Sequence, residues 1–278
     1  MPEATTESET GAGSSGARRK ALITGASAGI GACFAERLAR DQYDLILVAR
    51  RRDRLEEIAA RLRGQRGVGV EVMAEDLTRE ASLRTVAEFA AADRALDLLV
   101  NNAGFGTAGP FAHSDFEREE EQIRLNILAL FRLTRAVLPA MLSRGRGGII
   151  HVSSLAGFVP GPYMATYNAT KAFVNSFGDS LYEELRGTGV RCVTLCPGFT
   201  RTEFQATAGV DTSLAPGFLW MDPEPVVDAA LAGLQRGDSS VIPGLRNQLL
   251  SGLVRATPRS WVRRVYGHSI RRAHNWSS

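Results

Sequence analysis

A tyrosine and a lysine stand four residues apart at Tyr167 and Lys171, and their types suit proton transfer. In a helix, this spacing brings both side chains out on one face, where they can meet a common ligand. A tyrosine is a useful acid or base at neutral pH only when a nearby positive charge lowers its pKa from about 10. Lys171 could supply that charge, and it is one of only two lysines in the chain. The hydroxyl of Ser154, upstream of the pair, could hydrogen-bond a substrate carbonyl.

A glycine-rich turn, TGASAGIG, runs from Thr24 to Gly31 directly after a short apolar segment. Glycine permits positive φ and close approach of the backbone, and free N–H groups at a helix start favour a pyrophosphate. The spacing is GxxxGxG rather than GxGxxG, and many glycine-rich turns are merely tight connections. Because this turn lies between a predicted strand and a predicted helix, a dinucleotide-binding loop is the better interpretation.

Arginines follow the second apolar segment, at the point where an acidic residue would accept the ribose 2′-hydroxyl of NAD. Ala49, Arg50 and Arg51 stand there instead. A guanidinium binds a 2′-phosphate bidentately, and no carboxylate is present in this triplet to repel it. The pattern therefore predicts NADP(H). The alternative is a solvated helix start, but positive charge at a helix N-terminus is unfavourable and needs a reason.

Short β-branched or leucine-rich segments alternate with longer amphipathic ones, which is typical of a parallel sheet covered by helices on both faces. Strands are expected at residues 20–24, 45–49, 68–73, 96–101, 148–153, 190–196 and 239–242. Helices are expected near 29–40, 52–63, 79–92, 114–143, 164–187 and 223–236. Right-handed crossovers then predict a single α/β domain, a doubly wound Rossmann-type sheet of about seven strands.

Three segments differ from this alternation. Residues 1–17 have almost no large apolar side chains and are expected to be a disordered tail before a domain at 18–245. Residues 198–222, which include Phe199, Leu214 and Trp220, are more apolar than a surface loop and are expected to be a substrate lid. Residues 246–278 carry seven arginines and no acidic residue, and they suggest a basic extension of two amphipathic helices split at Pro258.

The motifs and their order resemble those of the short-chain dehydrogenase/reductase family over about residues 19–245. The matching positions are 24–31, Asp76-Leu77, Asn101-Asn102-Ala103-Gly104, Asn126, Ser154, Tyr167 with Lys171, and Pro197-Gly198 with Thr202. The resemblance implies that Tyr167 is the proton donor or acceptor and that Ser154 orients and polarises the carbonyl. Lys171 would bind the nicotinamide ribose and lower the tyrosine pKa, and Asn126 would hold a water of the proton relay.

The loop and arginine arguments, together with the resemblance, give one set of cofactor contacts. They are Gly25, Ser27, Ala28, Gly29, Ile30, Gly31, Arg50, Arg51, Asp76, Leu77, Asn102, Ala103, Gly104, Tyr167, Lys171, Pro197, Gly198 and Thr202. Taken singly, several of these polar residues could end a strand, satisfy a helix or form a turn. They are expected to act together because all of them converge on one end of one sheet.

The predicted function is hydride transfer between NADPH and the carbonyl of a ketone or 3-oxoacyl-like substrate, which is expected to be hydrophobic. Reduction is the expected direction, because cells usually keep the NADP pool reduced. The long fourth and fifth helices resemble those that pair in family dimers and tetramers, which implies a homo-oligomer. The alternative is a catalytically silent, NADP(H)-sensing interaction protein, although such proteins usually lose the tyrosine, lysine or serine.

The composition and the cysteine and histidine spacing narrow the remaining classes of protein. The chain of 278 residues is 44% hydrophobic and 23% charged, and it lacks both an uninterrupted apolar span and a secretory signal, so a cytoplasmic protein is expected. Three cysteines without a CxxC pair, and histidines without ligand spacing, predict no metal, and His151 is expected to be structural. The basic extension could bind an anionic membrane, an acyl-carrier protein or another subunit, or remain solvated, whereas no motif supports nucleic-acid binding.

Overall fold

The fold is taken from a computed structural model that describes residues 18–209, 216–258, 260–265 and 267. The tail predicted at 1–17, Leu214 of the predicted lid, and Arg259, Arg271 and Arg272 of the basic extension lie outside the described residues. The strands are β1 (Lys20–Thr24), β2 (Asp44–Ala49), β3 (Val70–Ala74), β4 (Leu96–Asn101), β5 (Gly147–Val152), β6 (Val190–Leu195) and β7 (Ser240–Val241).

Helices connect successive strands, and one more follows the last strand. They are α1 (Gly29–Arg40), α2 (Arg52–Arg66), α3 (Glu80–Ala92), α4 (Phe116–Ile123), α5 (Leu130–Arg144), α6 (Ala165–Glu184), α7 (Phe204–Ala208), α8 (Pro223–Arg236) and α9 (Leu245–Ala256). The strands form one parallel sheet in the order β3-β2-β1-β4-β5-β6-β7. The predicted single, doubly wound α/β domain is therefore confirmed, and the strand ends agree with the predicted ones to within two residues.

The sheet is buried on both faces, as β2 illustrates. Leu45 and Leu47 pack on one side with Phe34 of α1. Ile46 and Val48 pack on the other side with residues that include Leu133 of α5. Alternate residues of a strand point to opposite faces, so an unbroken apolar run is what a sheet covered on both sides requires.

The chain reverses its direction of travel across the sheet between β1 and β4. Strands β2 and β3 lie to one side of β1, and β4 to β7 lie to the other side. The connections that leave β1 and β4 therefore diverge and open a crevice at the carboxyl ends of these strands. Ligands of open α/β sheets bind in such a crevice.

The helix predicted at 114–143 is present as a continuous helical run, Phe116–Arg144, but it is not α-helical throughout. A π-helical segment, Arg124–Ala129, separates α4 from α5. Such segments arise where one additional residue is accommodated inside an α-helix. Periodicity did not reveal the segment, because the apolar spacing continues on both sides of it.

The combined run Phe116–Arg144 is long and apolar enough to cross a membrane by length and composition alone. A core helix of a soluble protein passes the same test. In this run, Leu133, Val137 and Met141 are buried at helical spacing and pack with the sheet residues Leu99 and Ile149. This inner face therefore behaves as part of the protein core.

The segment after β6 leaves the sheet and returns to it. A parallel bridge between Thr200 and Met221 closes its base, and α7 and a short 3₁₀ helix, Gly217–Leu219, lie within it. Beyond β7, α9 ends before Pro258, and residues 260–265 are again helical, so the predicted break is present.

Candidate active site

A cleft of about 800 Å³ opens at the carboxyl ends of the central strands. Its walls include Ser154, Tyr167 and Lys171. Of the predicted cofactor contacts, all except Gly31 line the same cleft. Asn126 lies behind the wall rather than in it. A shallower depression of about 970 Å³, on the outer side of α1, contains none of the predicted catalytic residues.

Tyr167 and Lys171 emerge on one face near the start of α6, as their spacing predicts, and both are buried. The Lys171 Nζ lies 5.8 Å from the centre of the Tyr167 ring and donates a hydrogen bond to the Val152 carbonyl oxygen at 2.9 Å. Burial lowers the pKa of Lys171 from 10.5 to about 8. The lysine is therefore mainly protonated at neutral pH, and the end of β5 holds its charge in place.

Ser154 follows β5 in an extended conformation and begins the 3₁₀ turn Leu155–Phe158. Its Oγ accepts a hydrogen bond from the Ala156 amide at 3.1 Å. The preceding Ser153 donates from its Oγ to the Lys171 carbonyl oxygen at 3.1 Å. Strand β5 is thus tied to α6, and Ser154 is placed in the same cleft as Tyr167.

Asn168 was not singled out from the sequence, yet it fixes the loop that follows Ser154. Its Nδ2 donates to the carbonyl oxygens of Ala156 and Val159, at 2.9 and 3.0 Å. Because Asn168 directly follows Tyr167, one turn of α6 both presents the phenol and holds the loop opposite it. In the sequence, the signal for this role is an asparagine directly after the predicted catalytic tyrosine.

The glycine-rich turn has the geometry of a cradle. Gly25 and Gly29 have φ values of +66° and +55°, and a Cβ on Gly31 would collide with the Gly25 carbonyl oxygen. Helix α1 has no side-chain cap at Ala28, so its first N–H groups remain available for an anion. These features fit a dinucleotide pyrophosphate.

Two side chains join this turn to the loop after β4. The Thr24 Oγ1 accepts hydrogen bonds from the amides of Asn102 and Ala103, at 3.0 and 2.9 Å. The Asn102 Nδ2 donates to the Thr24 carbonyl oxygen at 2.8 Å. The Asn102 side chain thus holds the backbone of the glycine-rich turn at the floor of the cleft. Thr24 positions the loop after β4, a role that the sequence does not indicate.

Arg50 and Arg51 reach the cleft beyond the first turn of α1. The Ser27 Oγ accepts hydrogen bonds from Arg51 Nε and Nη2, at 3.3 and 3.1 Å. Arg51 also pairs with Glu203 at 2.8 Å, and Arg54 pairs with the other oxygen of the same carboxylate. Hydrogen bonds from Arg54 and Arg51 lower the pKa of Glu203, and the bond from Arg54 has the larger effect. Sequence reasoning missed Glu203, whose only signal is an acidic residue beside the Thr202 motif.

Protein groups hydrogen-bond to both polar atoms of the Asn126 side chain. Its Oδ1 accepts from the Phe105 amide at 3.1 Å, and its Nδ2 donates to the Phe105 carbonyl oxygen and to Thr170. A Cβ on Gly104 would lie 2.9 Å from that Oδ1 and 3.6 Å from the Lys171 Nζ. Asn126 therefore shapes the backbone next to Lys171, and its part in a proton relay stays a prediction.

Three other polar residues lie in the sheet, before α6 and at the edge of the cleft, respectively. His151 is buried in β5, its Nδ1 is 3.2 Å from Asn101 Nδ2, and burial lowers its pKa to about 3. Tyr163 lies before α6 with a φ of +67° and does not line the cleft. Asp76 accepts hydrogen bonds from the amide and hydroxyl of Thr78, which fixes the loop after β3 at the cleft edge.

The lid and the C-terminal extension form the apolar side of the cleft. The Phe204 ring packs against the Tyr167 ring with centroids 5.3 Å apart. Pro216 and Leu219 continue this wall within the lid. The described part of the extension contributes five residues, Asn247, Leu250, Ser251, Val254 and Val262. The sequence prediction treated the extension separately from the site, because a repeat of adjacent apolar residues does not say what each one faces.

Comparison with known proteins identifies the family. The model of the short chain dehydrogenase family matches residues 19–212. The chain belongs to the short-chain dehydrogenase family. A solved short-chain dehydrogenase from Sphingobium yanoikuyae in complex with NADPH is 42% identical, with a TM-score of 0.78 over 84% of this chain and 92% of that one.

Two further relatives are similar over most of their length. The bulky-bulky ketone specific alcohol dehydrogenase from Comamonas testosteroni is 35% identical, with a TM-score of 0.74 over 87% of this chain and 96% of that one. The human very-long-chain 3-oxoacyl-CoA reductase is 31% identical over 249 residues, which are 87% of this chain and 76% of the reductase.

This short-chain dehydrogenase is an NADP(H)-dependent oxidoreductase that acts on carbonyl or alcohol groups of small molecules. The glycine cradle, the uncapped start of α1 and the arginines after β2 are all compatible with that cofactor. Among the described residues, no group of three or more His, Cys, Asp and Glu side chains is placed to hold a metal ion. The absence of a metal from the reaction stays a prediction.

Proposed function

We propose that the protein reduces a bulky, hydrophobic ketone or 3-oxoacyl-like substrate, and that Tyr167 gives the proton to the carbonyl oxygen. The observation that carries this proposal is the placement of Tyr167, Lys171 and Ser154 in one largely apolar cleft. When bound, NADPH supplies the hydride that reduces the carbonyl carbon. The protein supplies orientation, charge and the proton.

Lys171 stabilises the tyrosinate that remains after the proton has left. Its ammonium is near the Tyr167 ring and is held on the Val152 carbonyl oxygen. In a buried site, such a charge acts with little screening by water. The same ammonium is proposed to hold the nicotinamide ribose, with Asn126 supporting the backbone beside it.

Ser154 is proposed to donate a hydrogen bond to the substrate oxygen. Its Oγ accepts from the Ala156 amide, which leaves the hydroxyl proton able to turn toward a carbonyl in the cleft. Two donors on one oxygen polarise the carbonyl and orient it for reduction. The proton then comes from the phenol, because a serine hydroxyl is far too weak an acid.

The cofactor is proposed to lie along the cleft floor, held by the contacts named from the sequence. Gly25, Gly29 and Gly31, with the first N–H groups of α1, would hold the pyrophosphate. Arg50, Arg51 and Ser27 would hold the 2′-phosphate, while Asp76 and Leu77 would border the adenine. Pro197, Gly198 and Thr202 would flank the nicotinamide.

The apolar walls support a hydrophobic substrate. Phe204 and Leu219 of the lid, and Leu250, Val254 and Val262 of the extension, line the cleft. Two similar proteins are described as a bulky-bulky ketone alcohol dehydrogenase and a very-long-chain 3-oxoacyl-CoA reductase, which agrees with a large apolar group beside the carbonyl. A role as a silent NADP(H) sensor is less consistent with a buried Lys171, because burying that charge costs stability without a catalytic use.

A homo-oligomer is proposed from the surface of α5 and α6. Phe131 and Phe173 are 46% and 37% exposed, and both pack against Phe177. Exposed aromatic clusters of this kind are typical of subunit interfaces. A cytoplasmic location stays a prediction.

The decisive experiment is the consumption of NADPH by Tyr167→Phe. The variant should bind NADPH normally and lose turnover about a hundredfold or more, because only the acidic proton is removed. Tyr163→Phe is the matched control and should keep full turnover. Bulky aryl ketones, 3-oxoacyl thioesters and small soluble ketones should be compared. Equal turnover by the Tyr167 variant and the wild type would refute the role of the tyrosine.

A further inference from the structure

The last described helices have an apolar face that the cleft does not use. In α9, Leu250 and Val254 line the cleft. Leu245, Leu249 and Leu253 follow one another at four-residue spacing on a different side and are 71%, 67% and 67% exposed. A helix with one apolar face in the site and a second one in solvent has a surface still to be covered.

Neighbouring segments extend this exposed face. Trp261 and Val265 are 66% and 65% exposed, although Val262 between them lines the cleft. Phe218 of the lid is 62% exposed, and its carbonyl oxygen accepts a hydrogen bond from Arg246 at 3.2 Å. Each of these exposed side chains thus belongs to a segment that also contributes residues to the cleft. They are termed the outer surface here: Phe218, Leu245, Leu249, Leu253, Trp261 and Val265.

The charged side chains described in the C-terminal extension are all positive. Arg246, Arg263 and Arg264 are exposed beside the outer surface. The sequence from 239 to 278 contains seven arginines and no acidic residue. The formal net charge of the chain is +3, so residues 1–238 alone carry −4. A second copy of this segment would bring arginines against arginines without a counter-charge. A nucleic acid would leave the leucines uncovered.

We propose that the outer surface binds an anionic lipid bilayer. The leucines, Phe218 and Trp261 would enter the boundary between head groups and acyl chains, and the arginines would pair with lipid phosphates. An amphipathic helix with basic residues on its polar side is the kind of element that binds in this plane.

This placement would turn the mouth of the cleft toward the bilayer. Leu250, Val254 and Val262 connect the outer surface with the interior of the cleft. A carbonyl compound dissolved in the membrane could then reach Tyr167 without crossing water, which deepens the proposed function and rests on it. Binding of the protein to the bilayer does not rest on that function.

Co-sedimentation of the full-length protein with lipid vesicles tests the proposal. Vesicles of phosphatidylcholine alone are compared with vesicles that also contain phosphatidylglycerol. Three exposed arginines predict binding to the anionic vesicles that is tighter by on the order of a hundredfold, and added salt should weaken it. Equal binding to both vesicle types, or no binding to either, overturns the proposal.

Two variants separate the contributions of the outer surface. Arg263→Glu with Arg264→Glu should abolish the preference for anionic vesicles, and Leu249→Glu with Leu253→Glu should abolish binding to both types. Charge reversal at Arg186 and Arg236, which are 70% and 61% exposed elsewhere, is the matched control and should leave binding unchanged. None of these side chains lines the cleft.

Each variant is also assayed for folding by circular dichroism and for reduction of a small soluble ketone, both of which should match the wild type. If the leucine variant does not fold, the arginine variant still decides the outcome. A lower sedimentation coefficient in the leucine variant, without vesicles, would assign the outer surface to a second copy and overturn the proposal. Failure of the proposed function would appear instead as absent turnover alongside intact vesicle binding.

Discussion

The Glu203 carboxylate lies 2.8 Å from a terminal nitrogen of Arg51, an arginine proposed to bind the 2′-phosphate of the cofactor. Glu203 belongs to the lid, and the next residue, Phe204, packs against Tyr167. A carboxylate and a phosphate cannot both occupy the same side of one guanidinium without repulsion. If Arg51 binds the 2′-phosphate as proposed, Glu203 and the cofactor would compete for this arginine.

Replacement of Glu203 by Gln should tighten NADPH binding. Both partners are about half exposed, so the pair is weak, and the expected gain is about two- to fivefold in Kd. NADH lacks the phosphate, and its affinity should not change. Fluorescence titration with both cofactors measures the difference.

Asp222→Asn provides the control for that titration. Asp222 pairs with Arg201 at 3.1 Å in the same lid but away from Arg51. Its replacement should leave the affinities for NADPH and NADH unchanged. Equal tightening of NADPH and NADH by Glu203→Gln would contradict the competition.

The protonation of Lys171 should be visible in the stability of the protein at alkaline pH. Burial lowers its pKa from 10.5 to about 8, so between these values the unfolded chain binds more protons than the folded one. The contribution of Lys171 to the free energy of unfolding therefore rises with pH between about 8 and 10.5, by up to about 1.4 kcal/mol per pH unit. Lys171→Met should remove this rise, which denaturant unfolding at pH values between 7 and 10 would detect. Parallel curves for both proteins would be inconsistent with a buried, titrating lysine.

Substitution of Gly31 by Ala should impair the cofactor loop. The new methyl group would collide with the Gly25 carbonyl oxygen and lie 2.5 Å from Asn102 Nδ2, so the turn must shift. We expect NADPH affinity to fall at least about tenfold, because misplacing the turn removes several hydrogen bonds at once. Gly64→Ala in α2 meets no neighbour within 4 Å and should stabilise the protein by about 0.5–1 kcal/mol. Unchanged NADPH affinity in Gly31→Ala would count against the cradle.

His151 should make the fold sensitive to acid. Burial lowers its pKa from 6.5 to about 3, so the unfolded chain binds the extra proton first. Stability is then lost as the pH falls below about 6.5, by about 1.4 kcal/mol per pH unit. His151→Asn, which can keep a bond to Asn101, should flatten this dependence without changing turnover at neutral pH. A steeper dependence in the variant would exclude the histidine as the cause.

The sequence predicted the sheet and most of the cleft because both depend on local patterns. The apolar run of β2 predicts a buried strand, and the Tyr167–Lys171 spacing predicts a shared helix face. Each of these patterns spans only a few residues. The contacts of Glu203 with Arg51, and of Thr24 with Asn102, join residues that are 152 and 78 positions apart. No periodicity relates such positions, so only the packed fold reveals them.

The docking of the C-terminal extension is likewise not predictable from local sequence patterns. Its adjacent apolar pairs, Leu249–Leu250 and Leu253–Val254, predict a helix with apolar residues on two sides. Which side meets the cleft depends on how the helix docks after β7, and docking is a tertiary property. The sequence predicts an extension after the oxidoreductase domain but does not predict that residues of this extension line the cleft.

The π-helical segment between α4 and α5 determines how α5 is rotated about the helix axis relative to α4. Regular α-helical winding of the same residues would turn α5 by about 100° relative to α4, because each residue of an α-helix turns the chain by about that angle. Leu133, Val137 and Met141 would then leave the sheet, or Asn126 would leave Phe105. The wider winding of this segment therefore lets one continuous helix hold Phe105 at one end and cover the sheet at the other.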